Sequence, residues 1–567
     1  MSRLRFIRLG FFLAGLLIIG QLFRVQVMAH DFYSALAEGQ HDLFRQLFPE
    51  RGRIYARDGN SGDQTFLLAT NRKLNLLFAE PYRLKNDAAV AKALSPILGV
   101  AELDLRAKLS NHEERYHVLA HKLDDDTRAK IEALKLDGLG FSEEDLRFYP
   151  EGASGAQMLG FVGESAAGRS GRYGLEGWYD QELTGDQGYL ESQKDSVGRL
   201  IAVGDHTIKP AKDGSDLVLT IDRTVEYVAC QKLEAAVQAH QASRGSLVIL
   251  DPKTGAVIAM CNAPTFDPND YGKIDSVDVY NDTAIFDAYE PGSVFKTITM
   301  AAGIDTGKIT PESTFDDPGE VKIGPFTIRN ADLKAHGLVS MTDILAQSLN
   351  TGIDFVVGKV GPTAFLTYTR NFGFGQKTGI TLQSEGAGDV SQLERKGDIW
   401  SATGAFGQGV TATVLQLAAA YGAIANGGSL MKPYVVDEMR RPDGQVLAAK
   451  PQSVRRVVTS RTASLLTGML VAVVDHGEGH RAAVPGYWIG GKTGTAQIPN
   501  ADGPGYEVGP TIGTFVGFGP VDDPRFVMAV RIDRPKDVQY AESSAAPLFG
   551  DIAKFLMDYY RIAPTRK

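Results

Sequence analysis

Cysteine is nearly absent from this chain: only Cys230 and Cys261 occur in 567 residues. That excludes a disulfide-framework scaffold, and no Cys/His spacing suits a zinc site. Cys230 lies in a helical-looking run (VEYVACQKLEAAV) and Cys261 follows an apolar strand-like run (AVIAMCN), so two buried thiols are expected ahead of a disulfide or a reactive pair. A basic excess is also missing. The formal net charge is −9, the opposite of what a nucleic-acid-binding chain carries. There is no P-loop, no GxGxxG after a strand, no internal repeat and no low-complexity tract, so nucleotide cofactors and solenoid folds are not indicated.

One long hydrophobic run is present, and it lies at the start. Arg3, Arg5 and Arg8 precede LGFFLAGLLIIGQLF at residues 9–23. Basic residues flank its first side, which orients the short N-terminus to the cytoplasm and the rest outside. No small-x-small cleavage site follows in QVMAH, so an uncleaved single-pass anchor over residues 1–28 is expected ahead of a cleaved signal.

Behind the anchor, residues 30–48 look helical. RGRIYARDGN (51–60) reads as a strand ended by the turn at Asp58 and Gly59, and residues 84–147 read as mainly helix. Gly-dense stretches at 149–163 and 171–185 suggest an elongated α+β module over residues 29–210. Composition changes near 210. A strand over 214–222, a helix over 223–240 and two apolar strands around a turn over 244–264 begin a compact α/β domain, residues 211–567. Apolar residues make up 43% of the chain, enough for a large core.

Within that domain, YEPGSVFKTITMAAG (289–303) places Ser293 three residues before Lys296. Residues at i and i+3 share a helix face, and Pro291 and Gly292 start a helix there. A serine hydroxyl needs a base, and an apolar helix supplies the burial that keeps a lysine partly neutral. Ser-x-x-Lys alone is weak evidence: a second copy, Ser429 to Lys432, sits between a Gly pair and Pro433, where no helix aligns the side chains. Lys-Thr-Gly occurs at 253, 377 and 492. The first two read as turns, and only Lys492 follows an apolar strand (GYWIGG) and leads into an uncharged TGTAQ. Gly490, Gly491 and Gly494 leave room for a substrate backbone to pair against a strand edge. Between these motifs, LAQSLNTG (345–352) sets Ser348 two residues before Asn350.

In that order the three motifs resemble those of the penicillin-recognising serine transpeptidases. The whole chain is similar to a class B penicillin-binding protein: anchor, pedestal of the dimerisation type, then a β-lactamase-like transpeptidase with an antiparallel sheet flanked by helices. RGRIYARDG (51–59), RFYPEGASGAQMLGFVG (147–163), GLEGWYD (174–180), GSDLVLTID (214–222), DPKTGAVIAM (251–260) and FGQGVTAT (406–413) carry the likeness. Gln157 stands where the resemblance leads one to expect His, and Ala541–Ser544 replaces a Gly pair.

The resemblance implies a peptidoglycan D,D-transpeptidase that needs no cofactor or metal. Ser293 would attack the carbonyl between two terminal D-alanines of a stem peptide, with Lys296 as base. Asn350 would hold the lysine amine and the substrate amide, and Ser348, bridged to Lys492, would relay the proton to the leaving D-alanine. Thr493, Gly494 and Thr495 would bind the donor and its carboxylate. Backbone N–H groups of Ser293 and Thr495 would form the oxyanion hole. An amine of a second stem peptide would complete the cross-link, and β-lactams would acylate Ser293. A glycan polymerase of the shape, elongation, division and sporulation (SEDS) group is the implied membrane partner. The stretches 480–497, 514–535 and 545–549 favour division over elongation. The rival readings are a β-lactamase, a β-lactam sensor, a silent scaffold of the wall machinery and a bifunctional wall enzyme. The long pedestal, the short cytoplasmic tip, the complete motif set and the lack of a glycosyltransferase segment argue against each in turn.

Overall fold

The computed structural model describes residues 42–566 except 48, 61, 63, 166–167, 194–205 and 501–502. The anchor expected over residues 1–28 lies outside the described residues, among which no helix is long and apolar enough to cross a membrane.

The chain divides into two compact units. One unit ends at Gly52 and resumes over Thr184–Gly214; the other is Arg53–Leu183 with Ser215–Lys567. The smaller unit holds a three-stranded antiparallel sheet of Asp42–Leu47, Gly188–Gln193 and His206–Lys209, with Gly188–Gln193 in the middle. Asp42–Leu47 falls within the stretch expected to be helical. Its backbone is instead committed to a ladder with Gly188–Gln193.

In the larger unit, Ile54–Arg57 runs parallel to Asp216–Asp222 and antiparallel to Thr65–Ala79, so stretches 160 residues apart in sequence share one seven-stranded sheet. Residues 84–147 are less helical than expected. Helices Asp87–Leu98, Glu102–Leu109 and Asp125–Ala133 are present, but His117–Leu123 and Leu139–Phe148 are strands paired to the 15-residue strand Thr65–Ala79. Their Leu and Phe residues serve a sheet face, with Leu77, Leu119 and Ile131 meeting Val90, Leu94 and Leu105 in a core of their own.

The part of this unit after Ser215 is built on a five-stranded antiparallel sheet in the order Val257–Ala263, Arg244–Leu250, Phe526–Asp533, Tyr506–Gly519, Gly490–Pro499. Both faces are covered, which is why SLVIL and FVMAV read as unbroken apolar runs. Leu247, Ile249, Val530 and Ile532 face the helices Arg223–Ala239 and Ala545–Tyr559, while Val248, Leu250, Val527 and Ala529 join the core that holds Val414–Ala425 and Lys296–Asp305.

Cys230 and Cys261 are joined in a disulfide, which corrects the expectation of two free thiols. The helix carrying Cys230 packs on the strand carrying Cys261, bringing their Cα atoms to 5.2 Å. Closing that 31-residue separation stabilises the fold by about 3–4 kcal/mol on loop-entropy grounds.

Candidate active site

The turn before Ser293 is set by backbone crowding. Gly292 has φ +60°, and a Cβ on Gly407 would lie 2.3 Å from Gly292 O. Only glycine permits that approach. Gly292–Phe295 form a single 3₁₀ turn that runs directly into the helix Lys296–Asp305. Ser293 is half-buried, while Val294, Phe295 and Lys296 are buried. Tyr421 OH donates to Val294 O at 2.7 Å and pins the turn from below. The segment leading in is held by a buried charge network. Arg531 donates to both oxygens of Asp533 at 2.7 Å, reaches Asp287 at 3.2 Å, and stacks its guanidinium 4.1 Å from the Tyr289 ring centre.

Lys296 is fully buried, and its Nζ donates to the carbonyl of Ser348 and, at 3.1 Å, to the Ser348 hydroxyl. The helix Met341–Ala346, started by a Ser340–Asp343 capping box, delivers Ser348 to this point. Ser348 then turns the chain with φ +59°, a left-handed conformation that costs a non-glycine residue about 1–2 kcal/mol. The turn aims its carbonyl at the lysine.

Asn350 is placed differently from expectation. Its side-chain amide donates to Arg329 O at 2.8 Å, and the Lys296 amine is held by Ser348 instead. A neighbouring buried network, which the sequence reading missed, explains the position. Thr351 and Asn330 both bind Asp317, drawing the segment around Arg329 onto the start of the helix Asn350–Val360. Alternating Asp, Asn and Thr residues scattered over 35 positions give no local signal of such a cluster.

Lys492 lies in the edge strand Gly490–Pro499 and is fully buried. Gly494 lets this strand lie directly on the Ser293 turn, since a Cβ there would meet Pro291 O at 2.7 Å and Val294 N at 3.1 Å. Lys492 Nζ donates to Thr493 Oγ1 at 3.2 Å and sits 3.5 Å from Glu478 Oε2; the bridge from Lys492 to Ser348 expected from the resemblance is not among its bonds. Thr495 Oγ1 accepts the amide of Ala541 at 3.0 Å, which leaves its hydroxyl proton for a ligand. Ala541–Ser544, the stretch that departs from the expected Gly pair, therefore supports Thr495.

Burial, first, and the nearby Lys492 charge, second, push the Lys296 ammonium well below the ordinary lysine range. Lys492 is also lowered by burial, against the opposing attraction of Glu478. Both amines are fully buried, so a neutral Lys296 is favoured. Glu290, three residues before Ser293, accepts the amide of Gly409 at 2.8 Å and the Tyr506 hydroxyl at 3.1 Å, and burial pushes its carboxyl up.

The other motif copies fall where no site forms. Ser429–Met431 is a strand, Lys253 lies in the turn between two strands, and Lys377 is in a loop. Gln157 is buried, with its amide donating to Pro264 O and Val279 O, a structural post. Among the described residues, the group spaced to hold a metal is Glu226, Cys230 and Cys261, whose sulfurs are consumed in the disulfide.

Residues 245–554 match the penicillin-binding protein transpeptidase domain, and residues 46–219 match the penicillin-binding protein dimerisation domain. The chain is 33% identical to stage V sporulation protein D of Bacillus subtilis, over 100% of this chain and 87% of that protein. It is 29% identical to the probable peptidoglycan D,D-transpeptidase PenA of Neisseria meningitidis, over 96% of this chain and 90% of the other. Among solved structures, penicillin-binding protein 3 of Mycobacterium tuberculosis complexed with aztreonam superposes with a TM-score of 0.70 at 28% identity, covering 92% of this chain and 99% of that one.

Proposed function

This chain belongs to the class B penicillin-binding protein family of peptidoglycan D,D-transpeptidases, and we propose the route by which its own residues carry out that reaction. The observation that supports it is the buried Lys296 amine set 3.1 Å from the Ser348 hydroxyl, with the edge strand that carries the buried Lys492 laid across the Ser293 turn.

A neutral Lys296 takes the proton of Ser293 as its oxygen bonds to the carbonyl carbon of the penultimate D-alanine. The developing oxyanion is received by the backbone N–H groups of Ser293 and Thr495. Collapse of the tetrahedral intermediate breaks the C–N bond. The proton then passes from Lys296 to the Ser348 hydroxyl, 3.1 Å away, and on to the departing amine of D-alanine. This path replaces the Lys492–Ser348 bridge and frees Lys492, with Thr493 and Thr495, to hold the donor's terminal carboxylate. An amine of a second stem peptide attacks the Ser293 ester in the reverse sense. Its proton leaves through Ser348 to Lys296, the Ser293 oxygen regains its own, and a cross-link results. Asn350, whose side-chain amide is held on Arg329 O, contacts the substrate amide rather than the lysine.

The residues before 29 serve as a single-pass anchor, with the catalytic unit on the extracytoplasmic side. The Cys230–Cys261 disulfide favours that oxidising compartment. Septal wall synthesis is the proposed setting, on the stretches 480–497 and 514–535, with a SEDS-type glycan polymerase as partner at the anchor and pedestal.

Full-length protein incubated with fluorescent penicillin should show a covalent band that Ser293→Ala abolishes. A folded wild type that stays unlabelled would instead favour a non-catalytic scaffold, and rapid turnover of the antibiotic after a burst would favour a β-lactamase.

A further inference from the structure

Glu478 brings a negative charge into a pocket whose other groups are arranged to attract one. It follows the helix Ser460–His476 in a turn that is fastened to the Ser348 element. A Cβ on Gly477 would lie 2.5 Å from Ala346 O, and the Glu478 amide donates to that same oxygen at 3.0 Å. Gly479 N closes the turn onto Val473 O at 3.0 Å. The backbone of Glu478 is thus held to Ala346, two residues before Ser348, and is fixed beside that element.

Its side chain reaches the strand opposite. Oε2 accepts from Thr493 Oγ1 at 3.4 Å and sits 3.5 Å from Lys492 Nζ. The charged groups facing it are Lys492 and, more distantly, Lys296; His480, two residues on, pairs with Glu542 instead. Lys492 is wholly buried and cannot follow the carboxylate outward, whereas the Glu478 side chain is 43% exposed and has room to swing into water.

We propose that Glu478 is a specificity-determining residue: in the free enzyme its carboxylate occupies Thr493 and Lys492, and the donor's terminal carboxylate must displace it to bind them. This rests on the reading of Thr493 and Lys492 as the donor-carboxylate site. Neutralising Glu478 removes the internal competitor and the repulsion between two anions drawn to one ammonium, so anionic donors bind more tightly before acylation.

The test compares wild type, Glu478→Gln and Glu478→Asp as full-length protein. The probes are two acyl-D-alanyl thioesters, identical except that one ends in a free carboxylate and the other in its methyl ester. Intact mass against time and concentration yields the pre-acylation dissociation constant and the acylation rate for each. Glu478→Gln should tighten the free-carboxylate donor about 5–10-fold and the ester less than about 2-fold, with Glu478→Asp between, as expected for loss of one partly solvated charge contact. Equal effects on both donors, or no tightening of the free carboxylate, overturns the proposal. A folded wild type that forms no Ser293 ester with either donor overturns the reading of the site, and the proposal falls with it, so the two failures are told apart.

Discussion

Lys296 and Ser348 are bound twice: the lysine amine donates to both the carbonyl and the hydroxyl of a serine held at φ +59°. The strained turn and the proposed proton path are therefore one device, because the same backbone twist that aims the carbonyl also sets the hydroxyl beside the amine.

Replacing Ser348 by Gly separates the two contributions. Glycine accepts the left-handed turn without the Cβ clash but removes the hydroxyl. Ser348→Gly and Ser348→Ala should both lower the acylation rate about 100-fold or more, the share expected of a proton-transfer group. Ser348→Gly should nevertheless be about 0.5–1 kcal/mol more stable than Ser348→Ala, the strain relief less the entropy that glycine loses on folding. Urea unfolding beside penicillin acylation kinetics checks both halves. Equal stabilities would mean that the turn holds no strain.

The second prediction concerns pH. The Lys296 amine is lowered first by burial and second by the charge of Lys492. Acylation should rise with pH along a limb set by the lysine pair, since the neutral amine is the proposed base. Lys492→Met removes a repelling cation, so Lys296 holds its proton to higher pH. The limb should move alkaline, and acylation at pH 7 should fall about tenfold or more, part of it from the lost proton affinity match and part from the lost donor contact. The stability sign follows from the same shift. Between the lowered folded value and the ordinary lysine value, the unfolded chain binds the extra proton, so stability rises with pH over that window and the gain is absent below it. A limb that stays in place in the variant would show that the two amines are not coupled.

The third prediction lies away from the chemistry. Glu226 is fully buried on the helix that carries Cys230; burial pushes its carboxyl up to about 8, against the Met260 amide that it accepts at 2.8 Å. Here the folded protein holds the extra proton, so stability falls as pH rises from the ordinary glutamate value toward 8. Glu226→Gln keeps an oxygen for Met260 N and has no proton to lose. It should be about 1–3 kcal/mol more stable than wild type at pH 7.5 and indistinguishable near pH 4, by thermal or urea unfolding. An equal offset at both pH values would locate the effect in packing instead.

Some of this was legible along the chain and some was not. The helix over 223–240 and the paired strands at 244–264 follow from short-range patterns and stand where those patterns put them, whereas the helix expected to start at Ser293 opens with a 3₁₀ turn and becomes α-helical only from Lys296. Residues 84–147 misled, because Leu-rich segments of seven to ten residues suit a helix or a sheet face equally well, and the partner strand Thr65–Ala79 settles the matter only in the folded chain. The cysteine pair misled for a similar reason: a helix and a strand each looked like a place for a lone buried thiol until their packing set the two sulfurs together.

By itself, the order of residues marked the candidate side chains, because a hydroxyl and an amine one turn apart, a Ser-x-Asn and a Lys-Thr-Gly strand are local patterns with local causes. Tertiary structure alone decided who touches whom: Ser348 rather than Asn350 on the Lys296 amine, and Glu478 rather than Ser348 beside Lys492. Those choices depend on contacts between segments far apart in the chain, and on how much water each contact excludes, quantities that no short stretch of sequence contains.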